Sequence, residues 1–167
     1  MADDPVDFQQ LLRELHTERG AYLDNMCWVE STVDSALLSF LEIPDDKRGL
    51  ARRTILGPGF SARVDALAQV IDAAGLSEGF SGLVPQLRDA IRTRNVLAHG
   101  IALPGEETST TGAVYFFRRG DVRNQDAITR EQLASRVEDL AGLVFGLMQL
   151  CDEIDDANPS DAESDPE

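Results

Sequence analysis

Apolar residues recur along the first quarter of the chain with a helical beat. Phe8, Leu12, Leu15, Tyr22, Met26, Val29, Val33, Leu37 and Phe40 follow one another at steps of three, four or seven, which is the signature of one long amphipathic helix. Asp4 is placed to cap it and Pro5 to occupy its first turn. Gly20 marks an expected bend, and "IPDD" at 43–46 ends the stripe. Unbroken, such a helix spans about 55 Å, a length that calls for an elongated bundle or a seam between two copies. Residues 47–54 read as a short helix bearing Arg48, Arg52 and Arg53. "GPGF" at 57–60 reads as a loop that lacks the lysine and spacing of a P-loop. Ser61 is the expected cap of the next helix, which turns Val64, Leu67, Val70 and Ile71 to one face and stops at Gly75. A further helix begins around Ser81 and ends in "IRTRNVLAHG" at 91–100.

Beyond Gly100 the beat changes. "LPGEETSTTGA" is loop chemistry, and "AVYFFRRGDVRNQDA" alternates around a Gly120–Asp121 turn, which predicts a small β-hairpin. Thr129 and Gln132 form a capping box for the last helix. Its stripe is Leu133, Val137, Leu140, Val144, Leu147 and Cys151. The expected fold is all-α: an elongated up-down bundle of four to five helices with a small β-hairpin insert before the last helix. Residues 1–156 make the helical domain, and the acidic stretch 157–167 is expected to be disordered.

Composition narrows the picture. A chain of 167 residues suits one domain with one sizeable core. No run of about 18 apolar residues occurs, so no membrane helix is expected. "MADDPVDF" has acids where a secretory signal needs bases, which points to the cytoplasm. Cys27 and Cys151 stand far apart in apolar helical patterns and read as small core residues, not as a disulfide or a metal site. The net charge is −15, which disfavours nucleic acid as a partner. The charge is uneven, however: from Asp152 onward there are eight acids and no base, and the rest holds 15 bases against 22 acids. Fourteen of the 15 bases are arginine, whose forks suit phosphate and carboxylate alike.

The helix that ends in "IRTRNVLAHG" holds the candidate chemistry. Wound at roughly 100° per residue from Leu83, it gathers Leu97, Ala90, Leu87, Ala98, Ile91 and Val84 on one arc, with Asn95, Arg88, His99 and Arg92 on the neighbouring face. Arg94 falls inside the apolar arc. An arginine there requires pairing. Either an acid of the first helix (Glu14, Glu18, Asp24, Glu30 or Asp34) seals it, or a cleft or second subunit opens beside it. His99, just before Gly100, reads as a cap favoured by the helix dipole or as an acid–base group. Arg118, Arg119 and Arg123 of the hairpin read as a solvated turn or as neighbours of this basic spot.

"RNVLAH" at Arg94–His99, with "FSARVDALAQVI" before its helix and "AHG", a hairpin and a capped final helix after it, resembles the HEPN domain family. The resemblance covers roughly residues 7–155. It implies a metal-independent endoribonuclease of a toxin–antitoxin or defence system. Arg94 and His99 would be the catalytic pair and Asn95 the supporting polar residue, at a cleft between two copies of a homodimer. It also explains an arginine on an apolar stripe. Arg88, Arg92, Arg118 and Arg119 are the candidate substrate-binding residues. RNA is then the substrate, and a protein inhibitor or a nucleotidyltransferase-type protein the candidate partner. The alternative, favoured by the acidic composition, is a non-catalytic module of the same fold that recognises a nucleotide or a partner protein. No cofactor or metal is expected. His16 has no second ligand spaced to join it, and "CDEIDD" at 151–156 lacks the alternation and glycine of a calcium loop. Serine-hydrolase, zinc-protease and dinucleotide fingerprints are absent from the sequence.

Overall fold

The computed structural model describes residues 8–54, 56, 57, 59–104, 114–118, 121–128 and 130–157, with the side chains of 8, 101–127 and 130 outside that description. It is mostly helical. The elements are α1 (Phe8–Phe40), α2 (Asp45–Thr54), α3 (Phe60–Ala73), α4 (Ser77–Phe80), α5 (Leu83–His99), β1 (Gly100–Pro104), β2 (Val114–Arg118), β3 (Asp121–Ile128) and α6 (Arg130–Ala157). The strands pair antiparallel in the order β1-β2-β3, with Gly100 opposite Arg118 and Val114 opposite Ile128. Sequence periodicity gives no place to β1 or to the single turn of α4. The caps expected at Asp4 and Thr129, the turn at Gly120, and the stretch 158–167 lie outside the described residues.

Contacts divide the chain into two compact units: Met1–Cys27 with Ala90–Ala141, and Trp28–Asp89 with Gly142–Glu167. The core of the first contains Leu15, Tyr22, Met26, Leu97, Leu133 and Leu140. That of the second contains Val29, Val33, Leu37, Val64, Leu67, Leu87, Leu147 and Ile154. From Leu15 to Leu37 the α1 stripe is buried, and the helix is continuous through Gly20. Cys27 is exposed, against expectation, because it stands about 100° round the helix from buried Met26. Cys151 is half-buried. On α6 the fully buried seam is Leu140, Leu143, Leu147, Leu150 and Ile154, a 3–4 alternation that leaves Val137, Val144 and Cys151 at its margin.

The helix ends follow backbone chemistry. After α3, Leu76 N–H donates to Ile71 O (2.9 Å) and Gly75 N–H to Asp72 O (3.0 Å), with Gly75 at φ 73°. This is a Schellman stop. After α1 the same pair recurs, Ile43 N–H to Leu38 O (3.0 Å) and Glu42 N–H to Ser39 O (2.9 Å), with Glu42 at φ 52° where glycine is usual. Ser61 is not the cap of α3. That helix starts one residue earlier, at Phe60, and Gly59 precedes it with no side-chain cap.

One polar cluster pins α3 to α1 inside the second unit. Arg63 Nη2 lies 3.0 Å from Glu30 Oε2 and Nη1 lies 2.5 Å from Asp34 Oδ1. The guanidinium also sits 5.1 Å from the centroid of the Phe60 ring. The two carboxylates are four apart on one helix face, where they would repel without a shared cation.

Candidate functional site

Helix α5 carries the motif, and its sequence explains its start and its seating. Pro85 falls in the first turn, where a backbone N–H has no helical acceptor to lose. Leu83, Leu87, Ala90, Thr93 and Leu97 are buried, whereas Val84, Ile91 and Ala98 of the expected arc are half-buried. The buried face is therefore rotated by roughly 50° from the expected one, toward Thr93.

Each motif residue has a defined place. Arg94 is half-buried, and its Nη1 donates to Asn95 Oδ1 at 3.2 Å. Asn95 is exposed, and so is His99, the last residue of α5. Helical geometry sets Asn95 and His99 one turn apart, about 40° from each other, while Arg94 and His99 differ by about 140°. Asn95 therefore stands between the other two, bonded to one and stacked a turn below the other. Glu30 and Asp34, two of the acids expected as seals for Arg94, are held by Arg63.

The other predicted residues are less uniform. Arg92 is exposed. Arg88 belongs to the second unit, where its Nη2 meets Asp65 Oδ1 at 2.8 Å. Arg118 lies in β2 opposite Gly100, with its side chain outside the described set, and Arg119 lies outside the described residues altogether. His16 is exposed. Among the described residues no group of three potential metal ligands comes together, and no helix is long and apolar enough to cross a membrane.

Two residues join the motif that sequence reasoning passed over. Arg19 of α1 points its Nη2 at the Ala98 carbonyl, 3.5 Å away, where α5 runs out of internal donors. Arg136 of α6 donates through Nη1 to the hydroxyl of buried Thr93. Both arginines are half-buried, as Arg94 is. The signal was available. Arg19 sits four after Leu15 and three before Tyr22, and Arg136 sits three after Leu133 and four before Leu140. Each occupies a step of an apolar stripe, as Arg94 does on α5.

Arg19, Arg94 and Arg136 thus meet the last two turns of α5 at different points round it, at Ala98, Asn95 and Thr93, in a chain of net charge −15. Guanidinium forks suit phosphate and carboxylate alike, and His99 is exposed at the end of the helix. Comparison with known protein families, curated proteins and solved structures finds no match.

Proposed function

We propose that the chain is a metal-independent endoribonuclease of the HEPN type, working in a toxin or defence system. The observation that carries the reading is a helix end that bears exposed Asn95 and His99, with half-buried Arg94 bonded to Asn95 and half-buried Arg19 against the Ala98 carbonyl. The reading requires an up-down bundle with a hairpin insert and a homodimer whose two-fold axis brings two motif sets into one groove. It also carries a cytoplasmic location.

The chemistry uses the nucleophile that RNA supplies. The 2′-hydroxyl attacks phosphorus, forming the 2′-O–P bond as the P–5′-O bond breaks. His99 takes the 2′-hydroxyl proton as general base. Arg94 stabilises the added negative charge of the phosphorane, and Asn95 holds Arg94 in place. The leaving 5′-oxygen takes its proton from the second imidazole in the groove or from water. The products are a 2′,3′-cyclic phosphate and a 5′-hydroxyl.

Purified protein incubated with mixed RNAs in chelator tests this. Cleavage with cyclic phosphate ends is expected, and His99→Ala reduces it by about 100-fold or more while the helical circular dichroism is retained. Cleavage that persists in His99→Ala removes this residue from the mechanism. The acidic composition favours a second reading, a binding module on the same fold. In that case RNA stays intact, and a nucleotide or partner protein binds saturably with affinity that falls in Arg94→Ala.

A further inference from the structure

Helix α2 packs four bases into ten residues, Lys47, Arg48, Arg52 and Arg53, against Asp45 and Asp46. Arg48 is engaged locally, its Nε 3.0 Å from Asp45 Oδ1 and 3.1 Å from the Ile43 carbonyl. Lys47, Arg52 and Arg53 are exposed, and Leu50 among them is 66% exposed. Ala51 is buried and seats the helix. Winding at about 100° per residue puts Arg53 on the outward side, with Arg52 to one side of it and Leu50 and then Lys47 to the other.

The same unit holds the opposite charge. Asp152, Glu153, Asp155 and Asp156 are exposed at the end of α6, with no base in its last turn. Acids are disfavoured at that end of a helix dipole. Residues 158–167 add Asp161, Glu163, Asp165 and Glu167. One turn of α1 touches both elements. Cys151 Sγ lies 4.0 Å from the Thr32 carbonyl, and Arg52 Nη2 lies 3.4 Å from Ser35 Oγ. From Cys151, α6 continues for about 9 Å. The ten residues after it can span up to about 33 Å, more than the roughly 15 Å length of α2.

We propose that residues 158–167 dock along the outer face of α2, with their carboxylates against Lys47 and Arg53 and with Leu50 as the apolar contact. The α2 face is thereby shielded from other polyanions. This stands independently of any activity toward RNA.

Lys47 is the sole lysine in the sequence, which makes the test direct. The full chain is treated with a zero-length carbodiimide in dilute solution and the links are mapped by mass spectrometry. A link within one chain from Lys47 to Asp161, Glu163, Asp165 or Glu167 is expected. Its yield should be independent of protein concentration and fall about fivefold or more between roughly 50 and 500 mM salt. The Arg53→Glu variant keeps Lys47 and alters one exposed side chain, and its yield should fall similarly. An unchanged yield in that variant overturns the proposal, because proximity alone would then account for the link. Links formed only between chains, or links from Lys47 only to other carboxylates, overturn it too.

Discussion

Tyr22→Phe isolates the bond that ties the motif helix to α1. Tyr22 is 1% exposed, and its hydroxyl donates to the Ala90 carbonyl at 3.1 Å. Within α5 that carbonyl is also the helical acceptor for the Arg94 N–H. Deleting the hydroxyl therefore removes a second donor and leaves the carbonyl satisfied. Phenylalanine keeps the ring. The expected loss is that of one net hydrogen bond, about 0.5–1.5 kcal/mol, or a fall of about 2–4 °C in Tm per kcal/mol for a chain of this size. Tyr22→Ala removes the buried ring as well and should lose about 3–5 kcal/mol. Urea unfolding followed by helical circular dichroism measures both, and the slope of free energy against urea should stay constant in Tyr22→Phe. If Tyr22→Phe is neutral within about 0.3 kcal/mol, or as damaging as Tyr22→Ala, the assignment of a satisfied carbonyl with two donors is wrong.

Two further outcomes are expected. Glu42→Gly should stabilise the protein by about 0.5–1 kcal/mol in the same assay, since it relieves a left-handed backbone at an exposed position; a loss of stability would show that the Glu42 side chain holds the turn. At about pH 8, just below the ordinary thiol range, iodoacetamide should modify exposed Cys27 well before Cys151, whose thiol is pushed up to about 11 by burial, then by Asp155 and Asp152, against the opposing pull of Arg48. The unfolded thiol ionises near its ordinary 9.0, so between there and about 11 the folded state holds the extra proton and stability falls as pH rises. Equal labelling rates for the two thiols would contradict the burial of Cys151.

The long helix was legible because one periodic stripe runs from Leu15 to Leu37 and each of its apolar members is buried. The motif residues were legible for the opposite reason: polar groups gathered at the end of an apolar helix. Periodicity failed where a decision depends on tertiary neighbours. Thr93 is buried because Arg136, far along the chain, supplies its hydroxyl with a donor. Cys27 looked like core by residue type, yet its angle on α1 turns it outward. Ser61 looked like a cap by type, yet α3 begins at Phe60, whose ring underlies Arg63. Arg94 stood out as an anomaly, but the claim that Arg63 makes on Glu30 and Asp34 comes from a different helix and leaves no mark in the local pattern.

Arg63 also says something about the near absence of lysine. On the surface, exchange between the two bases changes little, and base composition alone can set the ratio. At position 63 one side chain serves two acids at once while its flat face lies over an aromatic ring. An ammonium group, compact and tightly hydrated, has no plane to stack and no fixed fork to share. A descendant of this protein that drifted toward lysine elsewhere would still be held to arginine at this one point.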